Sequence, residues 1–222
     1  MLQRSICLLI GYLCGSFLTA EAVARAHTGR SIFELGDGNP GMANVGHELG
    51  TKAGILCLVG DILKAFLPML LMARLFPQLG WPITTAWTGL GATLGHVFPF
   101  WHHFKGGKGV TTIATVVFLL DPLIGVLAVL VSLVAIILSG YLSVAALVGM
   151  AFCAVAMVVR GNLELALIYA LFMALTCSCH WNKLVGIKAG TTHRASLSTK
   201  FWAMVRGEGD HSGLDDAGRD AR

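Results

Sequence analysis

Between Val110 and Val159 the chain carries a single charged residue, Asp121. Such a stretch cannot coat a water-soluble domain. In hydrocarbon, a single segment satisfies all its backbone N–H and C=O groups only as a helix. Apolar runs of the same kind recur along the chain, and hydropathy predicts seven spans at about 3–25, 52–76, 80–100, 107–120, 122–139, 142–159 and 163–180. The fourth is short, and Asp121-Pro122 is the only punctuation between it and the fifth. Composition agrees: 13% of residues are charged, where soluble domains carry about a quarter, and mean hydropathy is +0.74. The expectation is an all-α polytopic membrane helix bundle of about seven transmembrane helices, with one integral membrane domain over 1–182 and a polar cytoplasmic tail over 183–222. No internal repeat is evident. In the tail, "KFWAMVRG" at 200–207 reads as a short interfacial helix with Phe201 and Trp202 at the headgroups, and "EGDHSGLDDAGRDAR" reads as disordered.

The first apolar run, followed by Ala20-Glu21-Ala22, also fits a signal peptide. Gly11, Gly15 and Ser16 inside it suit close helix packing instead, and a retained first helix is expected. With seven spans the termini lie on opposite faces. Arg25, Arg30, Lys52, Lys105, Lys108 and the basic residues of the tail fall on one face, and Arg4, Arg74 and Arg160 on the other. The excess of Lys and Arg places the N-terminus outside and the tail in the cytoplasm. The six cysteines lie in apolar segments without metal-ligand spacing. Cys177 and Cys179, two residues apart on a helix, do not face each other and read as buried small side chains.

This topology gathers the unusual polar segments on the cytoplasmic side. "GDGNPG" at 36–41 is an ordinary glycine-rich turn or a nest of N–H groups around an anion, and the residues alone leave both open. "KGGKG" at 105–109 opens the fourth helix. Its glycines allow close backbone approach, the helix end is positive, and two lysines add charge, which together suit phosphate. The plainer alternative is two lysines anchoring a helix. The spacing is not that of a Walker A loop. Asp61 and Lys64 share one face of the second span, as a structural ion pair or as part of a site. His96, Ser143 and His180 lie at span ends and are weak signals singly.

"GHVFPFWHHFKGGKGVTT" at 95–112 resembles a signature of the bacterial acyl-phosphate:glycerol-3-phosphate acyltransferase family: Gly-His-x-Phe-Pro, then Phe-Lys-Gly-Gly-Lys-Gly-Val. "GYLCGS" at 11–16, "GDILKA" at 60–65, "SGYLSV" at 139–144 and "HWNKLVGIKAGTT" at 180–192 resemble further family segments. The resemblance covers nearly the whole chain short of its last thirty or so residues. It implies seven helices and an N-terminus outside. It also implies transfer of a fatty acyl group from acyl phosphate to the sn-1 hydroxyl of glycerol 3-phosphate, giving lysophosphatidate and phosphate at the cytoplasmic face of the bacterial inner membrane. No cofactor or metal is implied. The implied partners are the two phosphate-bearing substrates and membrane lipid, with no nucleic acid.

Several side chains differ from the family pattern. Its Ser, Thr and Arg in the first loop are Asp37, Ala43 and His47 here, and the Asn three residues after His180 is Lys183. The resemblance implies catalytic roles for Lys105, Lys108 and His180, and Asp37, standing where the family has Ser, is expected to act as general base on the acceptor hydroxyl. The resemblance implies binding by Gly38, Asn39, Gly41, Asn44, His47, Gly106, Gly107, Ser143 and Lys183, His47 and Lys183 covering for the absent Arg. A second reading stays open: a relative that binds acyl phosphate or lipid without turnover, or that uses another acceptor. A small transporter ranks last, because the polar groups favour one side.

Overall fold

The computed structural model describes residues 1–192 and 194–206, and all regular structure among them is helical. The helices are α1 (Leu2–Gly15), α2 (Thr19–Thr28), α3 (Met42–Leu49), α4 (Thr51–Leu75), α5 (Trp81–Val97) and α6 (Val110–Leu120), then α7 (Pro122–Ser139), α8 (Leu142–Val159), α9 (Leu163–Cys179), α10 (Trp181–Lys188) and α11 (Ser196–Val205).

α5 is the central post. It buries Thr84, Thr85, Thr88 and Thr93 among its apolar residues. Thr84, Thr88 and Thr93 return their hydroxyls to carbonyls one turn back, so polar side chains are tolerated away from water. α1 crosses α5 on glycines from both sides. A Cβ on Gly11 would stand 2.0 Å from the Thr88 carbonyl oxygen, and one on Gly91 would stand 2.0 Å from that of Leu8. Gly15 and Gly95 repeat this one turn further along, against Ala92 and Tyr12. Only backbones without side chains approach this closely. Tyr169 and Phe172 of α9 complete the main core, fully buried against residues of α4 to α8.

The punctuation between apolar runs is physical. Asp121 accepts from the Ile124 N–H at 3.0 Å and Pro122 takes the first helical position, so α6 and α7 are separate helices. Gly140 ends α7 at φ 82°. Asn162 caps α9 through the Leu165 N–H at 3.1 Å. The first predicted span is not one helix. It breaks at Ser16–Leu18, where the Ser16 hydroxyl bonds the Tyr12 carbonyl at 2.7 Å and the Phe17 carbonyl accepts from Lys64. The loop after it is not all loop, since α3 forms inside it.

Among the described residues, four apolar segments are long enough to cross a membrane: Leu2–Thr28 taken together, Thr51–Leu75, Pro122–Ser139 and Leu142–Val159. α9 and α10, bent by 64°, make a fifth if counted as one span. α5 and α6, at 17 and 11 residues, are shorter. At one end of the bundle Arg4 grips Glu164 with two hydrogen bonds, Trp87 donates to the same carboxylate, and Arg160 pairs with Asp121. Residues 200–205 of the segment expected to be an interfacial helix are helical, as part of α11. Ser198 and Trp202 both donate to the Ile137 carbonyl at the end of α7. The segment expected to be disordered, 208–222, lies outside the described residues.

Candidate active site

At the other end, α5 stops at Val97 and the chain turns back to begin α6. His103 and Phe104 hold positive φ angles of 51° and 59°. Backbone strain of this kind, of order 1 kcal/mol or more per residue, persists only where surrounding bonds dictate it. Here His102 and Phe104 donate N–H groups to the Pro99 carbonyl, Lys105 to that of His102, and Gly107 to that of His96 at 3.0 Å. Gly106 and Gly107 let the loop lie on α5. A Cβ at 106 would meet the His96 carbonyl oxygen at 2.1 Å, and one at 107 would meet His96 Nε2 at 2.2 Å. The close approach expected at these glycines is therefore to the protein's own histidine, and the Gly107 N–H is engaged there. Among the described residues, the N–H groups of Gly106, Lys108 and Gly109 have no intramolecular partner, and the first turn of α6 adds its own unpaired donors.

Lys108 is half-buried beside these amides. Burial pushes its pKa down and Lys183 pushes it the same way, while Asp37 and Cys179 pull it back up. The first loop and α10 thus bring Asp37 and Lys183 within electrostatic reach of Lys108 in the glycine-lysine loop. Lys105 is exposed. His180 is buried at the α9–α10 bend, with Nδ1 at 2.9 Å from the Thr176 carbonyl. A carbonyl only accepts, so Nδ1 carries the proton and Nε2 keeps its lone pair. Both Lys108 and Lys183 act on this ring. Ser143 is buried in the first turn of α8.

The first loop is organised differently from an anion nest. The Asp37 N–H donates to Asn44 Oδ1, Gly38 to the Leu35 carbonyl, Asn39 to Asp37 Oδ1 and Gly41 to the Asn39 carbonyl. With Pro40 lacking an N–H, the amides of Gly38, Asn39 and Gly41 are satisfied within the loop, so the expectation that they cradle phosphate is corrected. Asn44 is a brace: it takes the Asp37 N–H and gives its own Nδ2–H to the Leu35 carbonyl at 2.9 Å. His47 is 84% exposed in its side chain and meets Glu48 at 2.8 Å. It is not among the charges acting on Lys108.

Asp61, Lys64 and His96, three weak signals in the sequence, form one buried cluster. Lys64 Nζ lies 2.9 Å from Asp61 Oδ1, 2.8 Å from the Phe17 carbonyl and 2.7 Å from His96 Nδ1. Sequence reasoning missed the link from this cluster to the glycine-lysine loop, because it depends on which ring atom meets Gly107. It also missed the bond from the Tyr12 hydroxyl to the Phe98 carbonyl at 2.9 Å, which ties α1 to the root of that loop. An open apolar groove of about 350 Å³ starts at Val110, directly after the loop, and runs between α6, α7 and α8 past Ile113, Ala128 and Phe118. Thr176, one turn before His180, and Leu197 of α11 also line it.

Comparison with known proteins adds the following. A family model described as Glycerol-3-phosphate acyltransferase matches residues 5–190. "Glycerol-3-phosphate acyltransferase 1" of Lactobacillus acidophilus is 41% identical over 133 residues, covering 60% of this chain and 63% of that protein. The chain therefore spans just under two thirds of that relative in this alignment. "Glycerol-3-phosphate acyltransferase" of Bordetella pertussis is 32% identical over 200 residues, covering 87% of this chain and 93% of that one. The crystal structure of an integral membrane glycerol 3-phosphate acyltransferase, PlsY, in its glycerol 3-phosphate form superposes with a TM-score of 0.74 at 30% identity. That match covers 87% of this chain and 96% of the other. The lysophosphatidic acid form of the same protein gives 0.73.

Proposed function

The chain belongs to the glycerol-3-phosphate acyltransferase family, and on that premise we propose that it transfers a fatty acyl group from acyl phosphate to the sn-1 hydroxyl of glycerol 3-phosphate. The products are lysophosphatidate and inorganic phosphate. One observation carries the reading: unpaired amides at the start of α6 lie beside half-buried Lys108, on which Lys183 and Asp37 both act, and an apolar groove begins at Val110, the first residue of that helix. A phosphate headgroup suits the first and an acyl tail suits the second.

In this reading the hydroxyl oxygen attacks the acyl carbonyl, the bond from that carbon to the phosphate oxygen breaks, and Asp37 takes the hydroxyl proton and passes it to the departing phosphate. Lys108 and Lys105 offset the charge that grows on that phosphate. The Nε2 lone pair of His180 accepts a hydrogen bond from the acceptor substrate, Ser143 helps hold it, and Lys183 supplies the cation near its phosphate. Gly106 contributes an amide. Gly107 shapes the loop, and Gly38, Asn39, Gly41 and Asn44 shape the loop that carries Asp37.

The further expectations become part of the proposal. Seven helical segments cross a bacterial inner membrane, with the N-terminus outside and the site facing the cytoplasm. The distribution of Lys and Arg supports this orientation, and so does the placing of the Arg4–Glu164 and Arg160–Asp121 pairs at the end away from Lys108. The domain division at 182 follows the same reading.

A second reading, binding without turnover or use of another acceptor, is favoured by one feature. The Asp37 carboxylate acts on Lys108, so it would repel an anion seated there, and it belongs to a loop whose amides are already satisfied. The deciding experiment supplies purified protein in lipid with acyl phosphate and either glycerol 3-phosphate or other small alcohols, and measures phosphate and acylated product. Release that depends on glycerol 3-phosphate supports the proposal. Release only with another alcohol identifies the acceptor, and donor binding without release supports the non-catalytic reading.

A further inference from the structure

The acyl-transfer reading gives no part to the buried cluster of Asp61, Lys64 and His96. We propose that His96 is a positioning residue for the phosphate seat: Lys64 holds its imidazole, and the imidazole and main chain of His96 hold the Lys105–Gly109 loop in its binding shape. The inference rests on reading that loop as the seat.

The geometry runs in one direction. The Lys64 ammonium has only donors, so His96 Nδ1, at 2.7 Å, accepts, and the ring proton is on Nε2. The ammonium also has the Phe17 carbonyl and Asp61 within 3 Å, which fixes its position. Nε2 then lies against Gly107, where any side chain would collide with it, while the carbonyl of the same histidine binds the Gly107 N–H. No hydrogen-bond partner for Nε2 occurs among the described residues, although His96 is only 4% exposed. A charged group that merely stapled α4 into the bundle would need only the Asp61–Lys64 pair within α4 and the Lys64 bond to the Phe17 carbonyl. It would not need the third contact, made to the residue on which the loop is folded. While the His96 carbonyl takes the Gly107 N–H, the Gly106, Lys108 and Gly109 amides stay unpaired among the described residues.

The test exploits the two ring nitrogens. In His96→Asn the side-chain amide reaches about as far as Nδ1 and can still meet Lys64. In His96→Gln it reaches about as far as Nε2 and can still meet Gly107. Both variants, His96→Ala, and a charge-neutral Asp61→Leu/Lys64→Met pair are placed in lipid nanodiscs. For each we measure kcat, the KM of both substrates, the inhibition constant of inorganic phosphate, direct phosphate binding by calorimetry, and thermal unfolding. The expected result is that His96→Ala and His96→Asn, which both lose the ring contact with Gly107, weaken phosphate binding about tenfold, within the range that a slightly misplaced binding group costs. KM should rise for the substrate whose phosphate uses the seat, with a smaller change in kcat. His96→Gln should recover most of the loss, and the charge-neutral pair should weaken phosphate binding without adding to His96→Ala. Recovery by Asn and not Gln, or a change confined to thermal unfolding, overturns the proposal. Wild-type protein that binds phosphate but releases none from acyl phosphate refutes the acyl-transfer reading alone and leaves this comparison valid in calorimetry. Wild-type protein that binds no phosphate refutes both.

Discussion

Replacing Lys108 by Met removes a half-buried ammonium from the unpaired amides at the start of α6. A hydrogen bond from a charged donor to phosphate contributes about 1.5–3 kcal/mol. Half-exposure lets solvent screen the charge, so the lower end applies, about 1.5–2 kcal/mol, or roughly 10- to 30-fold in kcat/KM. Lys105 is exposed, and its loss should cost less than about fivefold. The pH profile sharpens the contrast. Burial first, and Lys183 second, hold the Lys108 pKa below the ordinary lysine value of 10.5. The cation is the working form, so activity should fall as pH rises through this lowered pKa, earlier than an ordinary lysine would require. Lys183→Asn removes one of the two downward influences and should move that alkaline limb to higher pH. Stability of the free protein responds in the opposite sense. A lysine whose pKa is lowered by folding disfavours the folded state while charged, so its penalty is full below the folded pKa and fades as pH rises toward 10.5. The assay is kcat/KM against pH for wild type and the three variants. A Lys105→Met loss equal to that of Lys108→Met, or a limb unmoved by Lys183→Asn, would refute the reasoning.

Three further outcomes are expected. Gly91→Leu places a side chain into the Leu8 carbonyl and should lower thermal stability by about 1–3 kcal/mol or abolish the fold, whereas Gly29→Ala, with open space around it, should have far less effect despite its φ of 72°. Asn44→Ala orphans the Asp37 N–H and leaves the Leu35 carbonyl with the Gly38 N–H alone, and should cost about 1–3 kcal/mol locally. It should raise substrate KM more than it lowers the unfolding temperature. Reporter fusions or thiol labelling should place a tag at 102–109 on the cytoplasmic side and one at 160–162 on the opposite side. The reverse result removes the orientation.

The apolar segments were legible because hydrocarbon leaves a chain few alternatives, and the Asp121-Pro122 break because its capping chemistry is local. The break at Ser16–Leu18 was not legible. Its Phe17 carbonyl is satisfied by Lys64 from another helix, and hydropathy does not register a carbonyl's partner. The glycine-lysine loop was legible as the segment that opens α6, but the reason for Gly107 was not visible, since it depends on the facing ring of His96. The first loop misled for a related reason. A run of Gly, Asp and Asn fits an open nest and a self-closed turn equally, and Asn44, seven residues beyond Asp37, selects the turn. His47 could have served as a cation from its residue type alone, yet its own neighbour Glu48 holds it.

The crossing of α1 and α5 also limits how this sequence can drift. At Gly11, Gly15, Gly91 and Gly95 the obstacle to a larger residue is the opposing main chain, which no mutation can shrink. A methyl group gained on either helix cannot be offset by trimming a neighbour. Lineages of this protein should therefore keep all four positions together, or lose them together with the angle at which the two helices meet.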